Sequence, residues 1–255
     1  MSNSASRLLA RLAAPLAAMA MVLPAQAQDL VVSAAASLTQ AFQDIAVEYQ
    51  KAHPGQKVVY NFAASGALLA QIQQGAPVDV FASADQPTMD RAAAAKVLAD
   101  GTRADFARNT LVVVVPAGSR RQPRELKDLT DPGFTRIASG TPASVPAGRY
   151  TADAVAAAGL TDALQSRWVF GESVRQVLNY VARSEVEAGF VYRTDALIEA
   201  EKTRIAFTVP TAHPVSYPIA QVAASRNAQA ARDFIAFVRG SAGQAILQRY
   251  GFSPP

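Results

Sequence analysis

Ser37 and Ser65 each follow a strand-like run and open a helix-like one. Ser37 stands in Leu30-Val31-Val32-Ser33-Ala34-Ala35-Ala36-Ser37-Leu38-Thr39, and Ser65 in Val58-Val59-Tyr60-Asn61-Phe62-Ala63-Ala64-Ser65-Gly66-Ala67. A helix N-terminus presents unpaired backbone N–H groups and the positive end of the helix dipole, so it attracts anions. A serine there adds a hydroxyl donor. Two such ends, with more downstream, point to a site of neutral donors for a small oxyanion. Each serine taken alone also reads as a plain N-cap. Ser37 with Gln40, and Ser173 with Gln176, have capping-box spacing.

Competing chemistry is weak. The chain has no cysteine, which removes disulfides, thiolate nucleophiles and zinc–thiolate sites together. Its two histidines, His53 and His213, each precede a proline and read as loop residues. Asp79 and Asp85 could form a carboxylate pair, but Asp85 precedes an obvious helix and reads as its cap. A hydrolase would need a nucleophile constellation. Ser65 lies in Ala63-Ala64-Ser65-Gly66-Ala67, without the flanking glycines of a Gly-x-Ser-x-Gly elbow. The expectation is a binding protein rather than an enzyme.

Strand and helix patterns alternate along the chain. Leu30–Ser33 reads as a buried strand. Leu38, Phe42, Ile45, Ala46 and Tyr49 then form a helical stripe that His53-Pro54-Gly55 stops. Val58–Phe62 and Asp79–Ser83 read as strands, with a helix after each. Leu111-Val112-Val113-Val114-Val115-Pro116 is the most hydrophobic strand and reads as a crossover out of a first lobe. A second lobe repeats the logic. Arg136–Ser139 is a strand and Pro146-Ala147-Gly148 opens a helix. Val174, Val177, Leu178 and Val181 form a stripe after Ser173, and Gly189–Tyr192 is a strand ending in a phenol. Arg204–Val209 and Val215–Val222 are later strands. Helices at 228–239 and 242–250 complete the first lobe. Such alternation implies mainly parallel sheets with helices on their faces, and ligands outside the strand carboxyl ends.

The first 27 residues read differently. Arg7 and Arg11 precede an apolar run from Leu12 to Leu23, and Ala25-Gln26-Ala27 is a small-x-small cleavage site. This is the pattern of a secretory signal peptide, with a mature chain from Gln28. The mature chain carries 22 basic and 20 acidic residues, a balance that argues against non-specific nucleic-acid binding. The one basic cluster, Arg120-Arg121-Gln122-Pro123-Arg124, reads as a solvated loop.

Taken in order, Ala34-Ala35-Ala36-Ser37-Leu38-Thr39, Gly75-Ala76-Pro77-Val78-Asp79-Val80-Phe81-Ala82-Ser83-Ala84-Asp85-Gln86, Val145-Pro146-Ala147-Gly148, Val191-Tyr192 and Arg249-Tyr250-Gly251-Phe252 carry a resemblance. The chain resembles the periplasmic molybdate-binding proteins of ABC importers over essentially its whole mature length. The resemblance implies an α/β, two-lobed periplasmic binding protein fold of type II. Each lobe would be a mainly parallel sheet flanked by helices, with a hinged cleft between. Lobe one would comprise residues 28–110 and 213–255, and lobe two residues 111–212. Molybdate and tungstate are the implied ligands, with no cofactor and molybdenum present only as the bound anion. Ser37 and Ser65 would bind from lobe one by hydroxyl and N–H. Ala147 and Val174 would bind from lobe two by backbone N–H, and Tyr192 by its hydroxyl. Arg149 and Arg175, one step into their helices, are expected on helix surfaces or between lobes. Some relatives carry a further serine where this chain has Gly66, which is expected to loosen the loop. Some carry an acidic residue where it has Ser173. The implied partners are the membrane permease subunits of an importer. The protein would be a soluble periplasmic monomer that binds no nucleic acid.

Overall fold

The computed structural model of the chain describes residues 29–255. The signal-peptide reading of residues 1–27 lies outside them. In chain order the strands are β1 (Leu30–Ala35), β2 (Val58–Ala63), β3 (Val80–Ala82), β4 (Ala104–Asn109), β5 (Leu111–Pro116), β6 (Ile137–Gly140), β7 (Trp168–Gly171), β8 (Ala188–Tyr192), β9 (Thr203–Thr208) and β10 (Val215–Gln221). The helices are α1 (Thr39–Ala52), α2 (Ser65–Gln73), α3 (Gln86–Ala94), α4 (Pro146–Ala157), α5 (Thr161–Leu164), α6 (Val174–Ala182), α7 (Arg193–Ile198), α8 (Ala228–Arg239) and α9 (Ser241–Arg249).

The strands form two five-stranded sheets, ordered β2-β1-β3-β10-β4 and β7-β6-β8-β5-β9. Both are mixed rather than mainly parallel. In each, three strands pair in parallel, and the last two, β10-β4 or β5-β9, join by antiparallel pairing. The parallel pairs come from the β-α-β alternation. The antiparallel ones come from the strands beside the crossings, which enter each sheet against the direction of its other strands. The chain passes between sheets at Thr110 and again between Thr208 and Val215.

The core follows from the sequence pattern. Leu111 to Val115 are completely buried, as an uninterrupted apolar run must be when both sheet faces are covered. On α1 the buried side chains are Ala41, Phe42, Ile45, Ala46 and Tyr49, one face of a 3.6-residue period. Phe42 packs against Phe106 and Phe234 at centroid distances of 5.7 and 6.1 Å, which ties α1 to β4 and α8. Four elements gave no sequence signal: β4, β7 and the short α5 and α7. β4, α5 and α7 mix polar with apolar residues, and β7 is only four residues long, so no period emerges.

Two helix starts differ from their expected form. Ser37 does not cap α1. It sits inside a 3₁₀ turn, Ala36–Leu38, and the α1 cap position is Leu38 with no side-chain hydrogen bond. At α6 the Ser173 hydroxyl does accept from the Gln176 N–H at 3.3 Å. The reciprocal arm, however, reaches back one residue further, with Gln176 Oε1 accepting from the Glu172 N–H. Asp85 caps α3 through the Thr88 N–H at 3.2 Å, as its position predicts.

Candidate functional site

One small cavity lies where the two sheets face each other. It is lined by Ala35, Ala36, Ser37, Ala63, Ala64, Ser65, Ala84, Val145, Pro146, Ala147, Val174 and Tyr192, and its volume is about 10 Å³. Drug-sized ligands occupy about 300–1,000 Å³, far more than this closed space offers. All five residues singled out in the sequence, Ser37, Ser65, Ala147, Val174 and Tyr192, line it. Each is at most 4% exposed. No carboxylate, lysine, arginine or histidine is in the lining.

Backbone geometry aims donors inward. Ser37 lies in the 3₁₀ turn after β1, Ser65 begins α2, Ala147 is in the first turn of α4 and Val174 begins α6. First-turn N–H groups have no partner within their own helix. Four helix starts therefore converge, two from each sheet's side. Gly148 explains part of the Val145-Pro146-Ala147-Gly148 motif. A Cβ there would lie 2.1 Å from the Gly140 carbonyl oxygen, so only glycine lets α4 start so close to the end of β6.

The hydroxyls are set as donors. Ser65 Oγ accepts the Ala84 N–H at 3.1 Å, which leaves its proton for the cavity. Ser37 Oγ is 3.0 Å from Tyr217 Oη, and the direction of that bond follows from its neighbours. The Thr110 N–H donates to Asn109 Oδ1 at 2.8 Å, which fixes the amide. Asn109 Nδ2 then donates to Thr194 Oγ1 at 2.9 Å and to Tyr217 Oη at 3.2 Å. Tyr217 gives its own proton to Ser37, and the Ser37 proton is left free. Tyr192 donates to the Ala84 carbonyl at 3.3 Å, a long bond that a better acceptor can replace. Burial foremost, and then neighbouring phenols and carboxylates, raises the Tyr192 pKa well above the phenol range. Burial does the same for Tyr217, so both stay protonated donors at any physiological pH.

Two arginines bridge the lobes around the cavity. Arg149 of α4 places Nε and Nη2 at 2.8 and 2.7 Å from Asp85 Oδ2, the cap of α3, and Nη2 at 2.7 Å from Thr88 Oγ1. It also donates to the carbonyls of Pro142 and Ala143. Arg175 of α6 donates to the Ser37 carbonyl at 3.3 Å and to Gln40 Oε1 at 2.7 Å. Its Nε lies 2.8 Å from Asp195 Oδ1, and Asp195 Oδ2 accepts the Tyr192 N–H at 3.1 Å. Of their two expected positions, both arginines take the interlobe one.

Sequence reasoning missed Tyr217, Asn109 and Asp195. Tyr217 sits in a fully buried strand where an aromatic reads as core. What sets it apart is the following Pro218, at which the β10–β4 register shifts. Proline lacks the ladder donor and is tolerated at such bulges, which re-aim side chains. The histidines stay apart from the site. His53 stacks on Tyr49, with centroids 4.1 Å apart, and His213 lines a separate surface groove. Asp79 holds the start of β1 and the segment before α8, accepting from Val31, Ser225 and Asn227. Among the described residues no cluster of acids and histidines could hold a metal ion, and no helix is long and apolar enough to cross a membrane.

Comparison with known proteins places this geometry in a family. Residues 30–253 match the bacterial extracellular solute-binding protein family. The chain is 38% identical to the molybdate-binding protein ModA of Escherichia coli, over 88% of each chain. It is 34% identical to the molybdate-binding protein ModA of Haemophilus influenzae, over 90% of this chain and 91% of that one. Among solved structures it is similar to the periplasmic molybdate-binding protein of Azotobacter vinelandii. The TM-score is 0.79 at 26% identity, covering 89% of this chain and 99% of that one. The chain belongs to the bacterial extracellular solute-binding protein family.

Proposed function

We propose that this protein is the periplasmic substrate-binding component of a molybdate ABC importer. It binds molybdate, and tungstate, in the interlobe cavity and delivers the anion to the membrane permease. The observation that carries the reading is the cavity itself, where four helix starts and three hydroxyls converge without a carboxylate. The sequence likeness to molybdate-binding relatives supports the choice of anion.

The chemistry fits a fully deprotonated dianion. Molybdate has four acceptor oxygens and no proton at neutral pH. Ser37 and Ser65 each already accept one hydrogen bond, so what they offer is a donor. Monohydrogen phosphate carries a proton that needs an acceptor, and leaving it unpaired in a buried site costs about 1–3 kcal/mol. Sulfate has no proton either, so its rejection would have to come from size, through donors set too far apart for its shorter bonds. Helix starts stabilise the anion without burying an unpaired cation in the empty protein, and so permit release.

Donors sit on both lobes, so the ligand favours the closed cleft only by bridging them. In this reading lobe one comprises residues 28–110 and 213–255, and lobe two residues 111–212. The ligand set is Ser37, Ser65, Ala147, Val174 and Tyr192. The protein works as a monomer without a cofactor and catalyses no reaction. Thermal unfolding of residues 28–255 with molybdate, tungstate, sulfate or phosphate at matched ionic strength tests the reading. Ligand that binds the native state raises its stability. A rise with molybdate and tungstate alone is expected. An equal rise with sulfate, or none at all, would remove the molybdate assignment.

A further inference from the structure

The closing motif Arg249-Tyr250-Gly251-Phe252 is far from the donors in sequence, and none of its residues lines the cavity. The structure nevertheless ties it to Ser37. Tyr250 Oη donates to Asp44 Oδ2 at 2.9 Å, which fastens the end of α9 to α1, the helix that follows Ser37. Gly251 then turns the chain with φ +87°, while its N–H and that of Phe252 return to the Gln248 and Leu247 carbonyls. A left-handed residue just past a helix is where glycine is favoured. The same glycine abuts lobe two, since a Cβ there would lie 2.8 Å from Leu197 Cδ1 of α7. Ser253 pairs with Arg108, each N–H donating to the other's carbonyl, at 3.0 and 2.8 Å. The tail therefore runs along the outer edge of β4, beside Asn109.

Between these two fixed ends Phe252 points inward. It is 4% exposed, and its ring meets Tyr217 edge to face, with centroids 5.4 Å apart. Phe106 and Tyr192 also pack on Tyr217, at 6.2 and 5.8 Å. Tyr192 belongs to lobe two, so the rings that hold Tyr217 within its own lobe are Phe106 and Phe252. The phenol has two hydrogen bonds to keep. It accepts from Asn109 at 3.2 Å and gives its proton to Ser37 at 3.0 Å. Both lie at the long end of their range, so a small tilt of the ring breaks them.

We propose that the C-terminal segment Gly251-Phe252-Ser253 is part of the anion-binding machinery, with Phe252 a positioning residue for the Ser37 donor. The segment touches no ligand. Phe252 sets the tilt of the Tyr217 ring, and the Ser253–Arg108 pair steadies the strand that carries Asn109. Gly251 lies against α7, whose Thr194 takes the other proton of the Asn109 amide. Once Tyr217 tilts away, Ser37 Oγ loses the donor that reserves its own proton for the cavity. The proposal rests on the ligand-binding reading of the cavity.

The test is Phe252→Leu, which keeps an apolar side chain and deletes the ring, measured in two backgrounds. Molybdate affinity by calorimetry is expected to fall about 2- to 12-fold, a ceiling set by loss of the Tyr217–Ser37 hydrogen bond. In Tyr217→Phe that bond is already gone, and adding Phe252→Leu is expected to change affinity by less than about 1.5-fold. A merely structural role would lower the thermal midpoint in both backgrounds and weaken binding equally in both, or in neither. Ser253→Pro removes the N–H that pairs with Arg108 at an exposed position, and carries the same comparison if Phe252→Leu does not fold. The Asn109 side-chain amide gives a readout that needs no ligand. Its protons, assigned by nitrogen-15 NMR against Asn109→Asp, are expected to exchange with water at least about 10-fold faster in the tail variant. Wild-type affinity, an equal loss in both backgrounds or unchanged amide exchange would each overturn the proposal. If the wild-type protein itself does not bind molybdate, the ligand reading fails. Amide exchange then decides on the segment's hold over Tyr217: faster exchange upholds it and identity with wild type ends it.

Discussion

Replacing Arg149 by methionine should leave the fold intact and weaken ligand binding. Asp85 is 1% exposed and Arg149 21%, so the pair is largely desolvated in the closed form. Both guanidinium contacts fall on Asp85 Oδ2, while Oδ1 caps α3 within its own lobe. Breaking one partner of a buried pair costs about 3–5 kcal/mol. Arg149 is partly exposed and Asp85 keeps its cap, so about 2–3 kcal/mol is the reasoned share. In an open cleft Asp85 meets water, and the cost falls on closure. Apparent affinity scales with the closed fraction, so molybdate should bind about 30- to 150-fold more weakly. Calorimetry at low ionic strength measures this, alongside the ligand-free thermal midpoint, which should move little. Removing a cation near a dianion also weakens binding by simple Coulomb attraction. Asp85→Asn separates the two causes. It should also weaken binding if the pair acts as a latch, and strengthen it if only net charge matters. Arg149→Met within twofold of wild type, or Asp85→Asn binding more tightly, would refute the reasoning.

Tyr192→Phe keeps the ring and deletes one donor to the anion. A loss of about 1.5–3 kcal/mol predicts about 10- to 150-fold weaker binding by calorimetry, and unchanged affinity would mean that Tyr192 is not a ligand. Tyr217→Phe acts only through Ser37, so a loss of about 2- to 12-fold is expected, and a Ser37→Ala cycle should show the two effects to be non-additive. Burial pushes the Asp195 pKa from 3.8 up to about 6, against the pull of Arg175 and the Tyr192 N–H. A raised folded pKa means that its contribution to stability is full below about pH 4 and lost as pH rises through about 6. Urea unfolding should therefore show wild type losing on the order of 3 kcal/mol relative to Asp195→Asn between pH 4 and pH 7; a pH-independent difference would refute this.

What the sequence made legible was local. The strand–serine–helix transitions at Ser37 and Ser65 rest on hydrophobic period and residue type within a dozen positions. So do the Pro146 helix start, the Ser173 cap and the phenol ending β8. Helix α8 was bounded correctly because its apolar face and flanks are both local. The capping box at Ser37 failed because a 3₁₀ turn, Ala36–Leu38, precedes α1 and makes Leu38 its cap position, while the Ser37 hydroxyl meets Tyr217, 180 residues away. One strand in each expected mainly parallel sheet, β10 or β5, runs against the rest, since strand direction there is decided by which lobe the chain is entering. The Arg149–Asp85 bridge, the Asn109–Tyr217–Ser37 relay and the Gly66–Ser144 contact join residues 64 to 180 positions apart. No period or motif encodes such pairs. The Gly66–Ser144 contact shows this most plainly, because it exists only once the second lobe is in place.

The central claim is that a tetrahedral metal oxyanion sits among Ser37, Ser65, Ala147, Val174 and Tyr192. Anomalous diffraction at the molybdenum edge, from crystals of residues 28–255 grown with molybdate and excess sulfate, tests it most directly. The account predicts one strong peak in the interlobe cavity, within hydrogen-bonding reach of donors from both lobes. An empty cavity, a sulfate in that place or a molybdenum peak elsewhere would contradict it.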